Sequence, residues 1–157
     1  MTAIPVLPTR RADLQDEIVA RTGIDEAMIR RLVETFYGRI RRDDLLGPIF
    51  DARIADWPAH LARMSDFWSS VALMSGRYHG QPMAAHIRLP VDDGHFAHWL
   101  GLFEAVAREV CPAAAAELLI ERARRIATSL SMGVAFHRGS LPLPERKTNG
   151  AAKGTRS

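Results

Sequence analysis

The chain has 157 residues, of which 47% are hydrophobic, and a formal net charge of +3 at pH 7. That length suits one domain with a real core and is short for two. No apolar run reaches the roughly 18 residues of a membrane span, the basic residues are scattered, and the first residues lack the apolar stretch of a signal peptide. We therefore expect a cytoplasmic protein that binds neither membrane nor nucleic acid, and the single cysteine agrees with a reducing compartment.

The first predicted elements are two helices and a turn. A short helix is expected over residues 13–21, ending at Gly23, within an N-terminal extension of residues 1–24. The next helix begins after Asp25, which is a suitable N-cap. Gly47-Pro48 interrupts its pattern, so residues 48–55 predict a turn or a single helical turn. The apolar residues of this second helix share one face, which also carries Tyr37: Ile29, Leu32, Val33, Phe36 and Ile40.

The remaining elements are also helical. A long amphipathic helix is expected over 56–74 with His60 inside its apolar stripe, followed by a short helix from Gln81 through Ile87 that Pro90 stops. Two more long helices are predicted over 93–110 and 112–137. Residues 139–157 are rich in Pro, Gly and Lys and predict a disordered tail. No segment alternates with a period of two, so the class is all-α with four main helices.

Two histidines lie on or near apolar helix faces, and burying an ionisable ring is costly unless something bonds it. An iron porphyrin would explain both positions. His86, on a short helix flanked by loops, suits the strong axial ligand that haem needs, with its other ring nitrogen bonded to an acceptor such as a backbone carbonyl. The residues alone leave other interpretations open: His86 as a surface histidine on a polar turn, and His60 as an ordinary core histidine.

Four side chains could line the opposite face of the iron: Tyr37, His60, Met64 and Trp99. A tyrosine O–H donates or accepts a hydrogen bond, and an indole N–H only donates. Bound dioxygen carries partial negative charge, so such donors would slow its release. Tyr37 and Trp99 are each also compatible with an ordinary amphipathic core, but their joint occurrence with the two histidines favours a gas-binding site.

Taken together, several short segments closely resemble the group III truncated haemoglobins. The resemblance extends, in order and with similar spacing, from about Ile29 to His137. The chain also has no Gly-Gly pair, a feature that agrees with group III. The segments are Phe36-Tyr37, Leu46-Gly47-Pro48-Ile49-Phe50, Trp57-x-x-His60, Phe67-Trp68, Tyr78-His79-Gly80-Gln81-Pro82, His86-x-x-Leu89-Pro90 and Phe96-x-x-Trp99-Leu100-x-Leu102-Phe103.

The resemblance implies a truncated globin fold over residues 25–138, a two-over-two helical sandwich around haem b. It implies that His86 is the proximal iron ligand and that the distal residues are Tyr37, His60 and Trp99, with Met64 lining the same side. Expected ring contacts are Phe67, Trp68, Ile87, Leu89 and Phe96, and the candidates for the propionates, chosen by charge, are Arg63, Arg77 and Arg88.

The expected function is reversible binding of O2, NO and CO with slow O2 release, which suits redox or NO/O2 chemistry or sensing better than transport. One alternative is an enzyme that uses the haem for nitric oxide dioxygenation or peroxide reduction. It would need a separate reductase, because no G-x-G-x-x-G segment is present. A second alternative is a haem-free helical interaction module. We expect a monomer or weak dimer, in which His60 hydrogen-bonds a ligand, gates its access or binds the iron itself.

Overall fold

The structure, a computed structural model, describes residues 10–139, and all the regular elements in that part of the chain are helices. The all-α prediction is therefore confirmed. The predicted tail lies outside the described residues except for Gly139. The helices are α1 (Arg10–Thr22), α2 (Glu26–Arg42), α3 (Gly47–Arg53), α4 (Trp57–Leu73), α5 (Pro82–His86), α6 (Asp93–Val110) and α7 (Ala113–His137).

Helix α2 forms as its sequence predicts. The Asp25 carboxylate accepts a hydrogen bond from the Met28 backbone N–H at 2.8 Å, which satisfies one of the free donors of the first turn. The apolar face of α2 is buried, with Leu32 and Ile40 each 0% exposed. Burying that face against other helices supplies most of the stability of such an element.

The four long helices form the predicted two-over-two sandwich. Helix α2 packs against both α4 and α6, and α7 packs against α6 and α4. Phe36, Phe103, Val106 and Leu119, which come from α2, α6 and α7, are at most 1% exposed at the centre of this core. Within residues 10–139 no helix is both long and apolar enough to cross a membrane.

The segment after α2 differs from the prediction. Gly47–Arg53 is an α-helix of seven residues rather than a turn or single helical turn. Pro48 is compatible with its first turn, where a backbone N–H has no partner within the helix. Gly47 lets α3 approach α2, since a Cβ at this position would lie 2.8 Å from the Arg41 carbonyl oxygen. The proline was thus part of a helix start, not a helix stop.

Helix α1 is tied to the end of α4. Met74, the C-cap of α4, adopts the left-handed conformation with φ of 52°. Its carbonyl oxygen accepts hydrogen bonds from Arg11 Nε at 3.0 Å and from Gln15 Nε2 at 2.8 Å. The N-terminal helix therefore satisfies a carbonyl that the end of α4 leaves without an intrahelical partner.

Candidate functional site

The sandwich encloses a cavity of about 390 Å³ between α2, α3, α4, α5, α6 and α7. This volume lies in the range of sites for small ligands and cofactors, and the wall is mostly apolar with a few polar side chains. The structure brings most of the residues proposed from the sequence to the lining of this one cavity: Tyr37, His60, Arg63, Met64, Phe67, Trp68, His86, Leu89, Phe96 and Trp99.

Three of the proposed contacts are not among the lining residues. Ile87 is the C-cap residue of α5, and Arg88 is exposed beyond it. Arg77 lies on the loop after α4, with its Nε 3.5 Å from Glu26 Oε1. The charge pattern alone did not distinguish these arginines from Arg63, which does line the cavity.

His86 presents one ring nitrogen for a metal. Its Nδ1 lies 2.6 Å from the carbonyl oxygen of Pro82, one turn earlier in α5. Because a carbonyl only accepts, Nδ1 must carry the proton and donate, so Nε2 of the neutral ring keeps its lone pair. A neutral imidazole oriented by a backbone carbonyl is the usual form of a metal-binding histidine. The acceptor expected from the sequence is therefore present.

His60 carries a buried polar atom without a partner. Its Nε2 is shielded from solvent and has no hydrogen bond to any residue within 10–139. Burial lowers the pKa of the His60 imidazole, and the positive charge of Arg63 lowers it further, so the ring is neutral at pH 7. A buried polar group costs free energy unless it is bonded. A ligand in the cavity would supply the missing bond.

Tyr37 stands beside His60. The two rings meet edge to face, with centroids 5.0 Å apart and an interplanar angle of 90°. Tyr37 is only 5% exposed, and burial raises the pKa of its phenol, an effect to which the nearby Tyr78 phenol adds. The hydroxyl therefore stays protonated at any physiological pH and remains able to donate a hydrogen bond.

Trp99 is held in place by the aromatic core. Its ring stacks on Phe103, with centroids 5.6 Å apart and an angle of 17°, and meets Phe36 edge to face at 5.5 Å. Phe103 also stacks on Trp68 at 4.7 Å. These contacts are favourable offset-stacked and T-shaped arrangements. The Trp99 ring, and with it the indole N–H, is therefore held in a fixed position by its aromatic neighbours.

Several lining residues were missed from the sequence. Arg53 and His95 reach the cavity from the end of α3 and the start of α6, and Tyr78 reaches it from the loop between α4 and α5. Tyr78 lies within a segment that carries the family resemblance, so that signal could have identified it. Helix α7 also lines the cavity, through Ile126, Ala127 and Leu130. The helical period of its sequence indicates a buried face but does not show that this face meets a cavity.

Comparison with known proteins gives the family. No family model matches the chain. The chain is 36% identical over 110 residues to the group 3 truncated hemoglobin ctb of Campylobacter jejuni, and the match covers 67% of this chain and 87% of that protein. The crystal structure of a group III truncated hemoglobin from Campylobacter jejuni has the same fold, with a TM-score of 0.68, 34% identity, and coverage of 71% of this chain and 91% of that one. With the same helical sandwich and this identity over most of the relative's length, the chain belongs to the group III truncated haemoglobins.

Proposed function

We propose that this truncated haemoglobin holds haem b in the cavity, with His86 Nε2 as the axial ligand, and binds diatomic gases on the side of Tyr37, His60 and Trp99. The haem supplies an iron atom with an open position for O2, NO or CO. The observation that carries the proposal is a pair of imidazole nitrogens in one apolar cavity. His86 Nδ1 is engaged by Pro82, which leaves Nε2 as a ligand, and His60 Nε2 lacks any partner within the described residues.

Two arginines are the candidates that we propose for the propionates. Arg53 and Arg63 both line the cavity, and both are exposed to solvent. A guanidinium binds a carboxylate through two parallel hydrogen bonds, which makes arginine the usual partner of such groups. We propose Arg63, as the sequence suggested, together with Arg53, in preference to Arg77 and Arg88.

The polar residues of the cavity support slow release of O2. Tyr37 offers a protonated hydroxyl and Trp99 an indole N–H, while neutral His60 donates or accepts according to its tautomer. Each hydrogen bond in a site shielded from water contributes about 1 kcal/mol, and about 1.4 kcal/mol corresponds to a tenfold change in rate. Several donors therefore favour redox or NO/O2 chemistry or sensing over transport, which needs fast release.

The alternative is an enzyme that oxidises nitric oxide or reduces peroxide at the same site. It is favoured by one observation, the neutral His60 beside Tyr37, because a neutral imidazole can take up a proton within the cavity and then pass it on. This activity would require a separate reductase. Turnover with a reductase that exceeds simple autoxidation of the haem would establish the enzyme, and turnover no faster than autoxidation would exclude it.

The test of the main proposal is the absorption spectrum of the purified protein, and of the protein mixed with one equivalent of haemin, in the ferric, ferrous and CO-bound states. We expect a Soret band that shifts on reduction and again on CO binding. A protein that stays colourless, or that leaves added haemin with the spectrum of free haemin, would overturn the proposal. That result would instead favour the haem-free interaction module.

A further inference from the structure

The helix that carries His86 is short and has few neighbours. Helix α5 has five residues; its backbone packs against α7, and the His86 ring lies beside Phe96 of α6, with centroids 6.3 Å apart. A helix of this length is not stable by itself, because nucleation costs more than so few hydrogen bonds return. The position of His86 therefore depends on how the segment around α5 is attached to its neighbours, of which α7 is the helix that its backbone packs against.

One attachment is made by Arg138, at the C-cap of α7. Its guanidinium donates through Nη1 to the Val91 carbonyl oxygen at 2.6 Å and through Nη2 to the Leu89 carbonyl oxygen. The Arg138 backbone is itself anchored in α7, because its N–H donates to the Val134 carbonyl at 3.2 Å. The side chain thus ties the segment after α5 to the end of α7.

The hydrogen bonds continue from Arg138 to His86. Leu89, whose carbonyl Arg138 binds, donates its own backbone N–H to the His86 carbonyl at 3.0 Å. Pro90, between the two bound carbonyls, has no backbone N–H with which to attach the segment elsewhere. Arg138 does not line the cavity, so it can reach the site only through this backbone.

A second attachment lies on the other side of His86. Met83 of α5 is seated over Gly133 of α7, where an added Cβ would lie 2.3 Å from the Met83 sulfur. The absence of a side chain at Gly133 lets α5 approach α7 closely. Met83 precedes His86 and Leu89 follows it, so α7 holds the histidine from both sides.

We propose that Arg138 is a positioning residue for the axial ligand: by binding the Leu89 and Val91 carbonyls it sets the direction in which His86 Nε2 points into the cavity. This rests on the proposed haem ligation by His86. Replacing Arg138 leaves His86 and its bond to Pro82 in place but frees the segment that follows. The expected consequence is a weaker and more variable bond between histidine and iron.

The experiment compares wild type with Arg138→Gln and Arg138→Lys, and uses Arg125→Gln as the matched control. Arg125 is an exposed arginine of the same helix whose Nη2 lies 2.7 Å from Glu121, away from α5. The measurements are the iron–histidine stretching band of the ferrous protein by resonance Raman, haem transfer to excess apomyoglobin, and amide exchange of residues 82–91 in the haem-free protein. We expect Arg138→Gln to broaden or shift the stretching band, to speed haem transfer about tenfold, and to raise amide exchange in that segment.

The lysine variant separates positioning from charge. Lysine keeps the charge but cannot bind two carbonyls in the fixed geometry of a guanidinium, so we expect an intermediate effect. Unchanged band position, haem transfer and amide exchange in a folded Arg138→Gln protein would overturn the inference. Equal changes in Arg125→Gln would do so as well, by showing a general effect of surface charge. If wild type itself binds no haem, the proposed function fails first, and amide exchange alone still decides whether Arg138 holds the segment.

Discussion

The two sides of the cavity are built in different ways. On the side that we propose as distal, Tyr37, His60 and Trp99 lie on three long helices, and their rings contact each other or the same aromatic core. On the side that we propose as proximal, His86 lies on a five-residue helix, oriented by the Pro82 carbonyl and attached to α7. Tyr37, His60 and Trp99 are therefore positioned by dense packing on long helices, whereas His86 is positioned by a few backbone hydrogen bonds together with the contacts of a short helix.

This difference indicates which side of the cavity moves more readily when a residue is replaced. Packed interiors resist small movements because each displaced ring meets several neighbours. Phe36, for example, contacts Tyr37, Trp99 and Phe103 with centroid distances of 5.1, 5.5 and 5.3 Å. A short segment held by hydrogen bonds moves more readily, so changes on the proximal side should alter how haem is held, whereas changes on the distal side should alter how a gas is released.

The largest expected effect is the loss of haem when His86 is replaced by Ala. The variant should keep the helical fold, because the His86 side chain is only half-buried, but it lacks the imidazole that we propose as the iron ligand. Haem titration followed at the Soret band should show no tight stoichiometric binding. His79→Ala is the control, since His79 is exposed on the loop before α5 and should leave haem binding unchanged. Normal haem retention in the His86 variant would remove that residue from the site.

The next effect is a difference in stability between substitutions in the packed core and substitutions in the cavity wall. Leu32 is 0% exposed, so Leu32→Ala should lower the free energy of unfolding of the haem-free protein by about 2–5 kcal/mol. Met64 is half-buried against the cavity, and Met64→Ala should cost about 1 kcal/mol, because fewer contacts are lost. Urea unfolding measures both. Equal costs at the two positions would contradict the distinction between packed core and cavity wall.

A smaller effect is expected from the distal donors. Tyr37→Phe and Trp99→Phe each remove one hydrogen-bond donor while keeping an aromatic ring, so each should speed O2 release by roughly tenfold, or about 1.4 kcal/mol. Stopped-flow displacement of O2 by CO measures the rate. Phe67→Leu, which changes the same wall without removing a donor, is the control. Unchanged rates in both donor variants would show that these groups do not reach the ligand.

The smallest effect concerns pH. The pKa of folded His60 is lowered by burial and by Arg63, so below an unfolded pKa of about 6.5 the unfolded chain binds more protons there. This contribution to stability is full above that pH and is lost as the pH falls through the folded pKa. The slope is at most about 1.4 kcal/mol per pH unit, and it is reduced because the half-exposed ring is screened by solvent. In haem-free protein between pH 7 and 5, His60→Gln should show the shallower decline; identical slopes would contradict the cause assigned to the shift.

The periodicity of apolar residues and the capping residues predicted the long helices that form the core. The face of α2 and the Asp25 cap followed from spacing and residue type alone, since both are local properties. The seven-residue α3 did not, because Gly47-Pro48 is equally compatible with a turn and with a helix start, and packing on α2 decides between them. Local rules therefore succeed where the neighbouring helices do not have to be known.

For the candidate site too, some residues could be identified from the sequence and others could not. The histidines and Tyr37 could be singled out because polar groups on apolar stripes require a partner. Family resemblance then assigned their sides of the haem. The arginines that line the cavity could not be chosen by charge, because Arg63 and Arg77 carry the same charge, yet Arg63 lines the cavity from α4 while Arg77 contacts Glu26 from the loop after α4. The α7 contacts likewise depend on tertiary arrangement, which a single sequence does not encode as a local pattern, whereas Tyr78 lies in a segment that resembles the family and could have been identified from it.

The hydrogen bonds between α1 and Met74 connect the N-terminal helix to the surroundings of the cavity. Arg11 and Gln15 bind the last carbonyl of α4, and only a few residues later the backbone of Tyr78 is hydrogen-bonded to Ser70 at 2.9 Å as its ring enters the cavity wall. Helix α1, which comes before the segments that resemble the family, therefore contacts the same short stretch of chain that carries Tyr78 to the cavity wall. A change in α1 can consequently reach the cavity through the end of α4.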